Sequence, residues 1–390
     1  MRENEQQTQQ ALERIRGCMV GGAVGDALGY PVEFRAWPEI RRRYGPEGIR
    51  EMALDGRGLA CISDDTQMSL FTAGGVLLGM TRGRMRGIMG RLDDYCRASY
   101  IDWLHTQEYR SKKEAGQGHT WLADVPGLYA QRAPGNTCLS AIRALEKRQE
   151  VKNDSCGCGG VMRTAPIALV CYVHDYAGGS LPRVDLAAAE AARLTHKHPL
   201  GFLPSAVLNH ILWQIMGGKV NSREDLQRAF PEAAREIRQV EAGEDGRKTF
   251  GEQWPEFCSE LESILGAAMR YADGDMPDVE AIERIGDGWT GHEALAIAAF
   301  SAVRHYGSFE ESVISAVNHS GDSDSTGAIC GQIAGCLYGR GAIPASFTER
   351  LELLDVIEEI SHDLWTGCIT YEYDRDITPE KQRWLQKYAH

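Results

Sequence analysis

Two short acidic segments, far apart in the chain, hold the residues best suited to chemistry. The first is Ile62-Ser63-Asp64-Asp65-Thr66-Gln67; the second is Ser320-Gly321-Asp322-Ser323-Asp324-Ser325-Thr326-Gly327. Each leads into an apolar helical pattern, where an acidic or hydroxyl residue complements the macrodipole and caps free N–H groups. Capping explains one carboxylate at each place. Two neighbouring carboxylates with flanking hydroxyls ask for more, because they repel unless a cation or a proton intervenes. Asp322, Asp324 and Ser325 offer hard oxygen donors with no His or Cys in the set, which suits Mg²⁺ or Mn²⁺ over zinc. An EF-hand would need a bidentate Glu at the twelfth position from Asp322; Ile333 stands there, so calcium by that route is excluded. The like chemistry of the two segments suggests one shared site, with ligands enough for a pair of metals.

A third segment, Asp154-Ser155-Cys156-Gly157-Cys158-Gly159-Gly160-Val161-Met162-Arg163, places small residues before a helix. Exposed backbone N–H groups there suit a phosphate, and a plain tight turn is the alternative. It is neither a P-loop, lacking G-K-[ST], nor a dinucleotide fingerprint, lacking a preceding strand. Arg163 can pair with a phosphate or with an internal carboxylate. C-x-C at Cys156 and Cys158 is a poor zinc signal without a second Cys or His pair. His196 and His198 read as capping or surface histidines, and Trp103, Trp121 and Trp213 as core or loop anchors.

These segments need elements to bring them together. Apolar residues recur at helical spacing over Leu12 to Leu28, Thr66 to Leu78, Met85 to Leu104, Thr137 to Leu145, Val161 to Tyr172, Leu186 to Leu194 and Ala206 to Met216. The same spacing returns over Phe257 to Tyr271, His292 to Val303, Ser312 to Val317, Thr326 to Tyr338 and Leu351 to Ile360. No comparable series of alternating β-branched strands appears, so the fold class is all-α, a many-helix bundle. Loops are expected over Gly45 to Gly58, Lys112 to Asn136 and Glu241 to Pro255, where Gly and Pro break the pattern. Lys112 to Asn136 could cover the site or lie far from it.

Gly17, Gly21, Gly25 and Gly29 form a stripe on the first helix, and Gly327, Gly331, Gly335 and Gly339 form one on the last strong helix. Each helical glycine costs about 1 kcal/mol relative to alanine, so close backbone approach is the expected return. If the two helices pack antiparallel, Asp322 and Asp324 face the end of the first helix, where Asp26 and Glu33 lie. Packing of each stripe on a different neighbour is the alternative.

Composition bounds the function. With 42 basic and 55 acidic residues the net charge is −13, which argues against an electrostatic nucleic-acid binder. An anionic ligand would then need a metal or helix N-termini. Residues 1–10 are polar with no apolar signal region, and no apolar run approaches a membrane span, so a cytoplasmic address is expected. Eleven cysteines scattered through apolar segments read as reduced core thiols. The organisation expected is a polar tail over 1–10, one all-α domain over 11–365 and an extension over 366–390.

In order and spacing, these segments resemble the ADP-ribosylglycohydrolase family from about Ile15 to Gly339. The resemblance rests on Gly17 to Gly29, Ser63-Asp64-Asp65-Thr66, Gly157-x-Gly159-Gly160-x-Met162-Arg163, Thr195-His196, Glu293-Ala294-Leu295-Ala296 and Gly321-Asp322-Ser323-Asp324-Ser325. It implies an orthogonal all-α bundle with two Mg²⁺ ions, Mn²⁺ being a possible substitute, that removes ADP-ribose from an acceptor. Carried over by position, the metal ligands are Ser63, Asp64, Asp65, Asp322, Asp324 and Ser325. Catalytic roles fall to Glu33, Asp65 and Asp322, and substrate contacts to Cys158, Gly159, Gly160, Arg163 and His196. Cys158 stands where many members have asparagine, which leaves a backbone contact to phosphate but removes a side-chain amide. The implied partner is an ADP-ribosylated protein or a small ADP-ribose conjugate, with no stable nucleic-acid partner, no membrane and a monomeric chain. Arginine, serine, a nucleic-acid end or a free derivative would each present the same ribose. A non-catalytic ADP-ribose reader of this fold would be marked by lost carboxylates, and here all are present.

Overall fold

The computed structural model describes residues 2–88, 90–175, 180–240 and 254–389. Among the described residues it contains helices joined by loops and three isolated β-bridges, with no strand. The expected all-α architecture is therefore the one observed. The loop expected over Glu241 to Pro255 lies, up to residue 253, outside the described residues.

Two of the helices buried on every face carry the acidic segments at the centre of the bundle. One is Asp64–Arg86, buried continuously from Asp64 through Thr81; the other is Ser323–Tyr338, buried continuously from Ser323 through Cys336. Both begin on an acidic segment. Ser63 starts the first with extended backbone and a hydroxyl that accepts from the Asp65 N–H at 3.2 Å. Asp322 starts the second and accepts from the Ser325 N–H at 3.3 Å. Gly87 (φ 67°) and Gly339 (φ 82°) end them, in the left-handed region that glycine adopts without penalty.

The first helix, Arg2–Gly29, takes in the polar residues 2–10 as its opening turns and packs antiparallel on Ser323–Tyr338 along the two glycine stripes. A Cβ on Gly17, Gly21, Gly25 or Gly29 would lie 2.0, 2.3, 1.9 or 2.2 Å from the carbonyl oxygen of Gly335, Gly331, Gly327 or Ser323. The stripes are thus a backbone-to-backbone seam, and the helix ends meet as the pairing requires. Apolar side chains from Ile15 to Tyr388 join one contiguous core around it. The 366–390 extension contributes Trp384, whose indole N–H donates to the Thr81 hydroxyl at 2.9 Å.

Some boundaries differ from the expectation. Met85 to Leu104 is not one helix: Gly87 ends the helix containing Met85, and a new one runs Leu92–Glu108. Val161 to Tyr172 divides into a 3₁₀ turn, Cys158–Arg163, and a helix, Ala165–His174, with Pro166 in its first turn. Arg223–Val240 is a helix the apolar pattern did not single out; it holds Pro231 and turns Leu226, Ala229, Phe230, Ala233 and Ile237 inward. Trp103 is fully buried, and the Trp121 indole donates to the Tyr388 hydroxyl at 3.0 Å, as expected of anchors. No helix among the described residues is long and apolar enough to cross a membrane.

Candidate active site

The glycine seam delivers the acidic segments to one place. Asp26, on the last turn of the first helix, is fully buried and accepts from the Ser63 N–H at 2.9 and 3.0 Å and the Thr66 N–H at 3.1 Å. The Thr66 hydroxyl donates to it as well. Asp26 therefore fastens the start of Asp64–Arg86 to the first helix. On the other side of the seam, Glu33, Asp322 and Asp324 each offer a carboxylate oxygen, all within 4.8 Å of one another. Asp64 accepts from the Gly135 N–H at 3.3 Å, and its own N–H donates to the Arg132 carbonyl at 3.0 Å. The end of the Lys112 to Asn136 segment thus borders the site.

Six carboxylates, Asp26, Glu33, Asp64, Asp65, Asp322 and Asp324, share this region, and among the described residues none forms an ion pair with Lys or Arg. Every one of their pKa values is raised. Burial is the first cause for each, and mutual repulsion, chiefly from Asp324, is the next for Asp26, Glu33, Asp64, Asp65 and Asp322. Asp26 is pushed up to about 7 and Glu33 to about 10. One oxygen of Asp65, Oδ2, is buried with no hydrogen-bond partner, an expensive condition that a cation would relieve. The donor set and its missing counter-charge fit a hard divalent cation.

The third segment stands across from the acids. Cys158 begins the 3₁₀ turn, and its thiol donates to Asp322 Oδ2 at 2.7 Å while accepting from the Ser325 hydroxyl at 3.4 Å. A Cβ on Gly159 would meet His196 Cε1 at 2.9 Å, and one on Gly160 would meet the Gly201 carbonyl at 2.3 Å, so both glycines permit close packing. His196 is buried, with Nδ1 2.9 Å from the Thr195 hydroxyl. Burial and then the Arg163 charge lower its pKa to about 3, leaving it a neutral hydrogen-bonding group near pH 7. His198, as expected, caps a helix: its Nδ1 accepts from the Leu200 N–H at 3.1 Å.

Arg163 was expected to pair with a phosphate or with an internal carboxylate; among the described residues it pairs with no carboxylate, and its hydrogen bonds go to neutral groups. The side chain is fully buried; Nε donates to the Tyr100 hydroxyl at 3.1 Å, Nη2 to the Thr195 hydroxyl at 2.7 Å and Nη1 to the Gly159 carbonyl. Its charge lies 4.7 Å from the Tyr100 ring centroid. Arg163 clamps the glycine turn and Thr195 from beneath, so its link to the site is positional.

Sequence reasoning missed a strap over residues 286–291. The Asp287 carbonyl accepts from the Asp322 N–H at 2.8 Å, the Trp289 carbonyl from the Cys158 N–H at 3.1 Å, and Gly291 N–H donates to the Cys156 carbonyl at 2.8 Å. One extended segment thereby ties the glycine turn to the second acidic block. The Trp289 ring stacks on Phe34 at 5.1 Å and 20°, closing the rim beside Glu33 with an aromatic pair. Gly286, Gly288 and Gly291 around a lone Trp were the available signal. Asp26 was placed at the helix end by the stripe argument but not among the site residues; a single carboxylate inside a glycine seam was its mark.

The model of the ADP-ribosylglycohydrolase family matches residues 7–373. The chain belongs to the ADP-ribosylglycohydrolase family. Among similar proteins, ADP-ribosyl-[dinitrogen reductase] glycohydrolase of Rhodospirillum rubrum is 27% identical over 351 residues, covering 87% of this chain and 91% of that protein. ADP-ribosylhydrolase ARH1 of Dictyostelium discoideum is 25% identical over 401 residues, covering 90% and 93%. A solved structure described as an ADP-ribosylglycohydrolase-related protein complex shares the fold, with a TM-score of 0.61 at 22% identity, covering 92% of this chain and 99% of that one. Membership in the ADP-ribosylglycohydrolase family supports hydrolysis of ADP-ribose linkages by this chain.

Proposed function

We propose that this protein is a Mg²⁺-dependent hydrolase that cleaves the glycosidic bond between ADP-ribose and an acceptor, most plainly a protein side chain such as arginine or serine, and so reverses ADP-ribosylation. The observation that carries this reading is the meeting of Glu33, Asp322 and Asp324 within 4.8 Å, with Asp65 Oδ2 left without a partner. Two Mg²⁺ ions, or Mn²⁺ in their place, would be held by Ser63, Asp64, Asp65, Asp322, Asp324 and Ser325, supplying Lewis-acid charge over the ribose hydroxyls and a more acidic water.

The chain's own groups do the rest. The backbone of Cys158, Gly159 and Gly160 and the neutral His196 border the nucleotide, and Arg163 holds that turn in place. Departure of the acceptor builds oxocarbenium character on the sugar, which the surrounding carboxylates stabilise electrostatically. Glu33 and Asp65 are the candidates for moving the proton. Glu33 is the better placed, being half-buried beside the exposed Phe34 at the rim, whereas Asp65 is 3% exposed. In the metal-free site, burial and then the neighbouring Asp324 and Asp322 push Glu33 up to about 10, and its protonated form is the one that can donate to a leaving acceptor.

The direct test incubates the purified protein with ADP-ribosylated arginine, serine and DNA substrates, in Mg²⁺ and in EDTA. Release of ADP-ribose from a protein-type linkage in Mg²⁺ alone is expected. Inactivity on every linkage with ADP-ribose still bound would leave a reader instead.

The raised carboxylates also predict a pH dependence. A group whose folded pKa exceeds its unfolded value binds more protons when folded, so its contribution to stability is present at low pH and lost as pH rises through the folded value. For Asp26 that window runs from 3.8 to about 7, and for Glu33 from 4.5 to about 10. EDTA-stripped protein should therefore melt at falling temperature between pH 5 and 8 (roughly the centre of those windows). Added Mg²⁺ should reverse this, by roughly 3 °C at pH 8 at a hundred times its dissociation constant there, and by less at pH 5 at the same Mg²⁺ concentration. Differential scanning calorimetry at both pH values checks the sign.

A further inference from the structure

The rim beside Glu33 carries an aromatic surface that the carboxylate chemistry does not use. Phe34 is 70% exposed and Trp289 39%, and their rings stack with centroids 5.1 Å apart and planes 20° from parallel. The backbone holds both in place. Phe34 stands at φ 62°, a left-handed conformation that a bulky residue rarely adopts, and its ring turns outward while Glu33 before it reaches within 4.8 Å of Asp322 and Asp324. Trp289 is fixed from the other side. A Cβ on Gly288 (φ 81°) would lie 2.9 Å from Thr326 Cγ2 and 3.5 Å from Asp322 Cβ, and the Trp289 carbonyl accepts from the Cys158 N–H at 3.1 Å. The setting is acidic, with six carboxylates in the site, and the arginines at this rim are already held: Arg35 by Glu39 and the Pro31 carbonyl, Arg132 by Glu352. An arriving planar cation therefore meets negative charge and an open π face together, and a guanidinium can use both. A serine linkage offers neither charge nor plane.

We infer that the Phe34–Trp289 pair is the acceptor-recognition surface, stacking a guanidinium and directing the enzyme to arginine-linked ADP-ribose over the serine linkage. The inference rests on the reading of the chain as a hydrolase of ADP-ribose linkages, and it decides between acceptors which that reading leaves open. The bond between the anomeric carbon and the guanidinium nitrogen breaks with its electron pair going to nitrogen, which takes up a proton. Water adds its hydroxyl to the carbon and gives up a proton, so ADP-ribose and free guanidinium are the products.

The test compares kcat/KM of the full-length protein in Mg²⁺ on ADP-ribosylarginine and ADP-ribosylserine peptides, for the wild type, Phe34→Leu, Trp289→Leu and Trp289→Phe. The wild type should favour the arginine linkage, and agmatine, a free guanidinium, should inhibit it competitively. Phe34→Leu and Trp289→Leu keep apolar bulk without a π face; each should lower the arginine-to-serine ratio about three- to thirtyfold, the worth of one cation–π contact, and weaken agmatine to match. Trp289→Phe should recover most of the ratio. Circular dichroism separates these losses from loss of fold, and calorimetry with ADP-ribose separates acceptor stacking from base stacking. A wild type that cleaves the serine linkage as well as the arginine one would overturn the inference and leave the hydrolase reading intact. A ratio unmoved by both leucine substitutions would overturn it too, as would a fall in ADP-ribose affinity alone, which would assign the rings to the adenine base. Inactivity on every linkage would remove both readings.

Discussion

Asp322→Asn is expected to lower turnover by about a thousandfold, a loss in the range seen when one electrostatic stabiliser is removed from an active site, without lowering the melting temperature. The two effects diverge because Asp322 has separable roles. Its side chain caps the Ser323–Tyr338 helix through the Ser325 N–H, and its backbone N–H donates to the Asp287 carbonyl. Asparagine keeps the volume, the capping oxygen and the backbone bond. It removes one negative charge from a cluster in which burial and Asp324 already hold the Asp322 carboxyl well above its ordinary range. Relief of that repulsion should offset whatever the cap loses. Asp322→Ala is harsher, costing about 1 kcal/mol at the cap, yet the helical circular-dichroism signal should remain largely intact. Steady-state kinetics on whichever ADP-ribosylated substrate the wild type cleaves, paired with thermal melts, checks both readouts; undiminished turnover would remove Asp322 from the site.

Gly25→Ala is expected to destabilise the protein by more than about 3 kcal/mol, although alanine is the better helix former. The added Cβ would lie 1.9 Å from the Gly327 carbonyl oxygen and 2.3 Å from its carbon. Backbone cannot rotate away as a side chain can, so the two helices must separate. Asp26 follows Gly25 directly and grips Ser63 and Thr66, so separation would also spread the acidic segments. Turnover should fall with stability. Gly56→Ala is the control, since a Cβ there meets nothing within 4 Å, and its effect should stay within about 0.5 kcal/mol. Chemical denaturation of the two variants compares them directly.

The seam was legible because glycine is costly in a helix, and eight glycines at spacing four imply a compensating contact. The acidic blocks were legible because repulsion between neighbouring carboxylates needs an answer that capping alone does not give. The surroundings of Arg163 were not legible for a physical reason: a cation beside a glycine turn resembles an anion site in one dimension, but its partners, Tyr100, Thr195 and the Gly159 carbonyl, include elements a linear reading cannot bring together. The 286–291 strap escaped because it ties the segments through carbonyls and amides, leaving only its glycines and Trp289 as a signal. Arg223–Val240 escaped because Pro231 and a charged outer face interrupt a pattern whose buried stripe is plain once the helix is seen.

Calorimetric titration of Mg²⁺ into EDTA-stripped protein, wild type beside Asp322→Asn, probes most directly whether the converging carboxylates hold a hard cation. Saturable uptake by the wild type that is weakened or lost in the variant is the predicted result. No uptake by the wild type, or uptake untouched by the substitution, would contradict the account.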